Sequence, residues 1–340
     1  MHVVAPLPTP AKLAANLPLP PHLEQEIRAH RRSIRSVLNG VDDRLIVIAG
    51  PCSVHDPVAA LDYAAGLSTL ARSLSDDLLI VMRAYLEKPR TVAGWRGLVP
   101  DPHLDDSGDL AAGLHIGRRF LLDAAATGLP LAAEFVEPMI APYLADVVSW
   151  GCIGARTVAS QPHRQLASWL PMPVGFKNTI DGDIGPAVDA VVAAAGVQMF
   201  PGLGIDGEPV VMRGPGNHDG HVVLRGGATG PNHDAAAVKA TLTLLSHTGL
   251  AERVVVDASH GNSGKDHRRQ PGVVAELAAQ IAGGQRGIRG VMLESFLRAG
   301  RQELTPALSY GISVTDACVD FATTDELLHV LADAVRARRG

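Results

Sequence analysis

The stretch "LIVIAGPCSVHD", residues 45–56, is an apolar run that ends abruptly in a Gly-Pro pair, a cysteine and a His-Asp pair. Its first four residues are Leu, Ile, Val and Ile, a composition typical of a buried strand. Cys52 lies at the tip of that strand and is one of only three cysteines in the chain. The end of this strand is therefore where we look first for chemistry.

Seven further runs rich in valine and isoleucine follow the first one. They occupy residues 78–85, 131–136, 151–157, 173–178, 197–200, 254–260 and 290–296. Near-continuous apolar strands that alternate with Ala- and Leu-rich helices indicate a parallel sheet covered by helices. Eight such units predict a closed (β/α)8 TIM barrel, which typically needs about 250 residues. An open doubly wound sheet is the alternative, but the first turn carries neither a G-x-G-x-x-G motif nor a P-loop.

Two segments fall outside this repeat. The segment "PVVMRGPGNHDGHVVLRGG" (209–227) predicts an inserted β-hairpin between strands 6 and 7 of the barrel, turning on Gly-Pro-Gly-Asn. Residues 1–43 predict an N-terminal arm, with a Pro-rich opening and an amphipathic helix within residues 21–40. We interpret the arm as an oligomerisation or regulatory segment of a homo-oligomer, a dimer or a tetramer, and residues 44–340 as the catalytic barrel.

The composition excludes several classes of partner. Apolar residues make up 46% of the chain, charged residues 19%, and the net charge is -5. Nucleic-acid arms and membrane-surface helices both need clustered positive charge, so neither partner is expected. The widely spaced cysteines argue against a disulfide framework, and the opening lacks the pattern of a signal peptide. A cytoplasmic protein is therefore expected.

Polar side chains close seven of the eight apolar runs: Cys52, Arg83, Glu134, Arg156, Lys177, His260 and Glu294. In a parallel barrel the carboxyl ends of all strands meet at one face, where barrel active sites are built. Charges clustered in such a mouth are more typical of function than of stability. The sequence therefore predicts one active site made from many strand ends.

Three of these residues, Cys52, His260 and Glu294, are ligand types for a divalent transition metal. Asp316, in "SVTDAC" (313–318), is a fourth candidate. Thiolate and imidazole together favour Mn, Fe, Co or Zn over Mg. A lone cysteine is more often a small buried hydrophobe, but here a histidine and a glutamate close other strands. One divalent metal ion is the prediction.

A second set of rim residues is cationic: Arg83, Lys88, Arg90, Arg156, Lys177 and Arg225. Their convergence in a mildly acidic protein predicts a multiply anionic small ligand, because guanidinium groups bind phosphate and carboxylate bidentately. In "EKPRT" (87–91), Thr91 can add a hydroxyl to a phosphate held by Arg90. Any one of these charges could instead be a solvated rim charge or part of a surface ion pair.

Nine segments, in order, resemble the type I (alpha-group) 3-deoxy-D-arabino-heptulosonate-7-phosphate (DAHP) synthases. They are "GPCSVHDP", "MRAYLEKPRT", "GWRGLVPDPHLDDS", "WGCIGART", "PVGFKN", "LRGG", "DASHGNSGK", "GVMLES" and "SVTDACVDF". The resemblance runs from about residue 25 to the terminal "VRARRG". It implies condensation of phosphoenolpyruvate with D-erythrose 4-phosphate to DAHP and phosphate, the first step of the shikimate pathway.

The resemblance also implies a role for each residue. The metal would be held by Cys52, His260, Glu294 and Asp316. Arg83 and Lys177 would bind the carboxylate of phosphoenolpyruvate, and Arg156 and Arg225 would bind its phosphate. The phosphate of erythrose 4-phosphate would be bound by Arg90 and Thr91. Lys88 would donate a proton at the reacting centre, and Glu134 would help to position water. Lys88, Cys52, His260 and Glu134 are thus the catalytic candidates.

The chain departs from the family in "FPGLGIDGEPVVM" (200–212), which borders the site where many relatives bind an aromatic amino acid as feedback inhibitor. Pro171, Pro201 and Gly202 fall near this possible effector site. Relatives with a glycine at the position of Gly202 tend towards tyrosine rather than phenylalanine. Tyrosine is thus the favoured effector, although the departure leaves its identity, and regulation itself, open.

Three rival functions are weaker. A sibling synthase that uses arabinose 5-phosphate carries Lys-Ala-Asn-Arg where this chain has "KPRT" (88–91). A barrel that had lost catalysis and become a regulatory subunit would be expected to lack a metal ligand, and all four are present. A metal-storage or structural zinc module would be closed and rich in cysteine, unlike this mixed set.

Overall fold

The computed structural model describes residues 3–340 and shows eight parallel strands closed into a barrel. In chain order the strands are β1 Leu45–Gly50, β2 Leu78–Arg83, β3 Leu131–Glu134, β4 Trp150–Ile153, β5 Val174–Lys177, β6 Gln198–Leu203, β7 Pro209–Gly214, β8 His221–Leu224, β9 Val254–Asp257 and β10 Ile288–Glu294. Around the barrel the order is β1-β2-β3-β4-β5-β8-β9-β10, and β10 pairs with β1. The predicted TIM barrel is confirmed.

Helices cover the outside of the barrel. They are α1 Pro10–Asn16, α2 Pro21–Leu38, α3 Pro57–Ser73, α4 Leu110–Ala125, α5 Ala141–Leu144, α6 Gln161–Trp169, α7 Gly185–Ala195, α8 Ala235–His247, α9 Gln270–Ala282 and α10 Phe321–Arg339, with a 3-10 turn at His267–Arg269. Aspartate side chains cap α3, α4, α8 and α10 by accepting from amide groups of the first turn, which fixes where these helices begin. Within residues 3–340, every helix is too short or too polar to cross a membrane.

The inserted hairpin exists, but its place along the chain differs from the prediction. β6 and β7 pair antiparallel, with Met199 opposite Arg213, and both precede the sixth barrel strand, β8. The hairpin therefore lies between the fifth and sixth barrel strands, and it turns at residues 204–208 rather than at Gly-Pro-Gly-Asn. Burial explains the difference: β7 alternates between more and less exposed residues, whereas all of β8 is buried between β5 and β9.

The predicted amphipathic helix of the arm is α2, and it closes the amino-terminal end of the barrel. Ile34, Val37 and Leu38 are buried in one apolar cluster with the inward-facing residues of the strands. Arg31 donates to the carbonyl of Val148 at 2.9 Å, which fixes the helix across the barrel. Residues 1 and 2 of the predicted arm lie outside the described residues. The assignment of residues 1–43 to oligomerisation stays a prediction.

Candidate active site

The carboxyl ends of the strands open into a cavity of about 220 Å³. Arg83, Glu134, Lys177 and Glu294 are the last residues of β2, β3, β5 and β10, so closure of the barrel brings them to one end. Of the predicted site residues, those that line the cavity are Lys88, Arg90, Thr91, Glu134, Arg156, Lys177, Arg225, His260 and Asp316. The structure therefore assembles most of the predicted site.

Cys52 and Glu294 are almost completely buried and lie next to Asp316. The sulfur of Cys52 and a carboxylate oxygen from each acid lie within 4.8 Å of one another. His260 adjoins this group, since its Nε2 is 3.5 Å from Glu294 Oε1. A thiol, an imidazole and two carboxylates form a mixed donor set that suits a divalent transition metal. The residues present thus fit the predicted metal ion.

Lys88 stands directly beside this donor set. Its Nζ lies 2.7 Å from Cys52 Sγ and 3.7 Å from Asp316 Oδ2. Burial and the charge of Glu294 raise the pKa of Cys52 to about 11, so the thiol of the protein alone holds its proton at neutral pH. Burial lowers the pKa of Lys88, but the negative charges of Cys52 in its thiolate form, of Glu294 and of Asp316 outweigh burial and raise it above its ordinary value. Lys88 is therefore an ammonium ion in the protein without bound metal.

Asp257, the last residue of β9, is a site residue that sequence reasoning missed. It is fully buried, and its Oδ2 lies 2.9 Å from His260 Nδ1 and 3.1 Å from Lys177 Nζ. Burial raises the pKa of Asp257, but the charges of His260 and Lys177 outweigh it and hold this pKa well below its ordinary value. A carboxylate on the far nitrogen of a ligand histidine fixes the orientation of the ring. Its position at a strand end in "VVVDASH" was the available signal.

The loop after β9 has an unusual backbone. His260 has φ +55° and Lys265 has φ +62°. Both values lie in the left-handed region, which residues other than glycine rarely adopt. The amide of Lys265 donates to the carbonyl of His260 at 2.7 Å and so holds the loop closed. This places Lys265 Nζ 3.8 Å from Asp316 Oδ1 and in the cavity lining. Lys265 is a further cation that the sequence reasoning did not identify.

Arg83 lies beneath the cavity and is not part of its lining. It is fully buried, and its Nη2 donates to the carbonyl of Cys52 and to Glu294 Oε1, both at 3.0 Å. Among residues 3–340, the only hydrogen-bond acceptor of its Nη1 is the thioether sulfur of Met292, at 3.2 Å, which is a weak acceptor. Arg83 thus orients Glu294 and retains one donor without a strong acceptor.

The phosphate-binding candidates lie nearer the solvent. Arg156 Nε donates to Thr91 Oγ1 at 2.8 Å, which joins groups assigned to two different substrate phosphates. Glu134 is 8% exposed, and its carboxylate lies over Gly154, where a Cβ would come within 2.2 Å of Oε1. A side chain at Gly154 would therefore displace the Glu134 carboxylate from its present position.

A second, apolar pocket of about 110 Å³ lies between the hairpin and helices α5 and α6. Pro201 and Gly202 line it, together with aromatic rings from Trp169 and Phe200. The structure does not bring Pro171 to this pocket, because that residue is exposed in the bend after α6. The last residue of α6, Trp169, reaches the pocket instead.

Comparison with known proteins identifies the family. Residues 22–329 match the DAHP synthetase I family. The chain belongs to this family. A phospho-2-dehydro-3-deoxyheptonate aldolase from Corynebacterium glutamicum is 52% identical, over 98% of this chain and 93% of that protein. The resemblance and the enzyme class, 3-deoxy-7-phosphoheptulonate (DAHP) synthase, are confirmed.

Two relatives from Escherichia coli K12 differ in the effector that their names state. The Tyr-sensitive phospho-2-dehydro-3-deoxyheptonate aldolase is 47% identical over 95% of this chain and 91% of its own length. The Phe-sensitive aldolase is 47% identical over 97% of this chain and 95% of its own length. Overall identity therefore does not choose between these effectors.

The fold has a close match among solved structures. The phospho-2-dehydro-3-deoxyheptonate aldolase from Francisella tularensis SCHU S4 has a TM-score of 0.98 and 43% identity, and the match covers 100% of both chains. The barrel, the helices around it and the hairpin therefore form an architecture that this family member shares.

Proposed function

We propose that the barrel mouth condenses phosphoenolpyruvate with D-erythrose 4-phosphate, and that this reaction depends on one divalent metal ion held by Cys52, His260, Glu294 and Asp316. The observation that carries the proposal is the position of the donor set, which lies at the base of a cavity lined by cations. Two anionic substrates and a Lewis acid are what this combination suits. Mn, Fe, Co and Zn all fit the donor set.

Phosphoenolpyruvate would bind with its carboxylate deepest. The deepest cationic groups are Lys177 Nζ, at the end of β5, and Nη1 of Arg83, which donates only to the weak sulfur acceptor of Met292 among the described residues. Arg225 and Arg156 lie further out in the same cavity and would hold the phosphate. This arrangement holds both ends of a small dianion, which reduces the entropic part of the barrier.

The phosphate of erythrose 4-phosphate would bind to Arg90 and Thr91, which are exposed residues of the cavity lining. Its aldehyde would then extend inwards to Lys88 and the donor set. Because Thr91 accepts a hydrogen bond from Arg156, the two substrate phosphates would lie in neighbouring subsites.

The bound metal would supply Lewis acidity that polarises the aldehyde for attack by the nucleophilic carbon of phosphoenolpyruvate. Lys88, whose Nζ lies 2.7 Å from Cys52 Sγ beside the donor set, would donate a proton to the new alkoxide. Glu134, buried at the edge of the cavity, would hold the water that adds to the carbon bearing the phosphate. Inorganic phosphate would then leave as the C–O bond breaks.

The direct test follows the loss of the enol absorbance of phosphoenolpyruvate. Consumption is expected to require erythrose 4-phosphate, to stop when EDTA removes the metal and to return with manganese. Turnover with arabinose 5-phosphate alone would assign the sibling reaction. No turnover with either sugar in metal-loaded protein would contradict the proposal and favour a barrel without catalysis.

Lys88→Met tests the proton donor. Loss of a positioned acid is expected to lower kcat by about 10²–10⁴-fold. The matched control is Lys239→Met, which removes an exposed lysine on α8, away from the mouth, and is expected to keep wild-type activity. Equal activity of the two variants would rule out Lys88 as the proton donor.

An aromatic amino acid, with tyrosine favoured, is proposed as an inhibitor that binds the apolar pocket beside the hairpin. Support comes from the aromatic lining of that pocket and from the names of the Tyr- and Phe-sensitive relatives. The proposed setting is a cytoplasmic homo-oligomer. The three free, buried cysteines fit a reducing compartment.

A further inference from the structure

Four arginines lie at the amino-terminal end of the barrel, opposite the cavity. This arginine cluster consists of Arg253, Arg286, Arg289 and Arg338. Arg253 immediately precedes β9, Arg286 is in the loop before β10, Arg289 is the second residue of β10, and Arg338 is in the last turn of α10. This end of a barrel ordinarily serves stability, so a concentration of like charge there needs a reason.

The cluster surrounds the turn between α2 and β1. Arg253 Nη1 donates to Asn39 Oδ1 at 2.5 Å, and Arg338 Nη2 donates to the carbonyl of Asp43. The guanidinium of Arg289 lies against Gly40, where a Cβ would come within 2.6 Å of Nη2. One short turn, residues 39–43, is thus contacted by three of the four arginines.

Carboxylates do not neutralise the cluster. Within residues 3–340, none of the four arginines has a carboxylate oxygen within 4.0 Å, and their hydrogen bonds go to backbone carbonyls and to Asn39. The neighbouring acids are engaged by other arginines: Asp42 by Arg44, Asp43 by Arg339, and Asp77 by Arg336 and Arg339. Burial, and then the charges of Arg286 and Arg253, lower the pKa of Arg289.

Two donors in the cluster have no acceptor. The Nε atoms of Arg289 and Arg338 are buried and make no hydrogen bond to any described residue. Buried donors without partners are uncommon in proteins, and each one destabilises the fold unless a ligand or water satisfies it. Unsatisfied donors and arginines without a directly paired carboxylate therefore coincide at one place.

We propose that the arginine cluster is a binding site for a phosphate-type dianion, either free inorganic phosphate or the phosphoryl group of a small ester. Guanidinium forks match the oxygens of a tetrahedral oxyanion, which would accept from the free Nε groups and offset two of the four positive charges. Arg253 is only 5% exposed, and Arg289 and Arg338 are partly buried. This depth favours a small anion over an acidic protein surface. The site is separate from the substrate phosphates at the mouth.

Calorimetric titration of the full chain with inorganic phosphate tests the proposal. The mouth also binds phosphate, so the wild type is expected to show two classes of site. Arg289→Gln should lose the class at the cluster, or weaken it by about tenfold or more, and keep the class at the mouth. Arg156→Gln should show the reverse. Arg28→Gln, an exposed arginine paired with Glu24 on α2, is the matched control and should titrate like the wild type.

A second measurement uses Arg286→Gln, because Arg286 is exposed and its replacement is compatible with folding. Phosphate is expected to raise the unfolding midpoint of the wild type by more than that of this variant. In phosphate-free buffer the variant should unfold at the same or a higher temperature, since one repelling charge is gone. Titration of Arg156→Gln and of Arg289→Gln with glycerol 3-phosphate separates the two sources of the anion: binding to the first variant that is lost in the second assigns the phosphoryl group of esters, and failure of this class to appear assigns the free ion.

Two results would overturn the proposal. One is wild-type phosphate binding in both Arg289→Gln and Arg286→Gln. The other is loss of all phosphate binding in Arg156→Gln, which would place every bound phosphate at the mouth.

Discussion

At the scale of single residues, Asp257 links the metal group to the substrate cations. The same carboxylate oxygen contacts His260, a proposed metal ligand, and Lys177, a proposed anchor of the phosphoenolpyruvate carboxylate. Asp257 is fully buried and ionised, so its removal leaves Lys177 as a buried charge with no carboxylate partner. We assign it a positioning role.

Asp257→Asn keeps the shape of the side chain but removes its charge. Metal affinity and kcat are each expected to fall by about 10–100-fold, because the histidine ring loses its orienting partner. KM for phosphoenolpyruvate should rise as well, since Lys177 loses its fixed position. Metal titration and steady-state kinetics measure these effects, with Asp333→Asn on the exposed face of α10 as control. A purely structural role would change the unfolding midpoint and leave metal affinity unaltered in the folded protein.

Glu87 gives a prediction about pH. Burial raises the pKa of this glutamate to about 8, although the amides of Val136 and Glu137 donate to it. Its pKa is thus higher in the folded than in the unfolded protein. The contribution of protonated Glu87 to the free energy of unfolding is therefore complete below about pH 4.5 and is lost as the pH rises towards 8. The unfolding free energy of the wild type should fall over this range by on the order of 2–4 kcal/mol more than that of Glu87→Gln. Parallel pH profiles of the two proteins would contradict the raised pKa.

We expected functional side chains at the carboxyl ends of the strands, and this expectation identified Cys52, Glu134, Lys177 and Glu294. Each of them lies at or just beyond the carboxyl end of a strand. Because this expectation assigned one residue to each strand, it selected His260 for β9 and missed Asp257. Arg83 was predicted at the mouth, yet its side chain turns below it to Glu294. The periodicity of a strand indicates only whether a side chain points into or out of the barrel. The depth at which the Arg83 guanidinium lies below the mouth is therefore not predictable from sequence.

At the scale of elements, the hairpin was the least predictable part of the fold. β6 and β8 are both short and rich in apolar residues, but one pairs antiparallel outside the barrel and the other completes it. The two strands differ in burial, because both faces of β8 are buried and those of β6 are not. Burial depends on tertiary contacts that sequence alone does not show. The existence of the hairpin was predictable and its boundaries were not.

Gly202→Ala tests whether the hairpin forms the effector pocket. A Cβ at this position would come within 2.4 Å of Met212 Cγ, so Met212 would have to move into the pocket. Inhibition by tyrosine is expected to weaken by about tenfold or more, while activity without tyrosine stays near that of the wild type. Inhibition curves with tyrosine, phenylalanine and tryptophan provide the measurement.

The matched control is Gly272→Ala, where the added Cβ meets nothing within 4 Å on α9. Unchanged tyrosine inhibition in Gly202→Ala would remove the effector from this pocket. Stronger inhibition by phenylalanine than by tyrosine in the wild type would correct the identity of the effector.

At the scale of the whole molecule, the barrel has two different ends. The carboxyl end carries the cavity and the donor set, and α2 and the arginine cluster close the other end. The closed barrel was predictable because seven of the eight apolar runs are barrel strands that alternate with helices. The sixth run, 197–200, was wrongly taken as a barrel strand, since it lies in β6 of the hairpin and β8 takes its place. The packing of α2 against the strand interiors was not predictable. An amphipathic pattern shows that a helix has an apolar face but not what covers it.

Cys52 and its neighbours are proposed to hold the metal on which turnover depends. The most direct measurement titrates metal-free protein with Co²⁺ while recording thiolate-to-cobalt absorption, proton release and turnover together. All three are expected to rise in parallel and to end at one equivalent, because the Cys52 thiol with its pKa of about 11 must lose its proton to bind. Full turnover before any cobalt is added, or turnover that rises without thiolate absorption, would contradict this proposal.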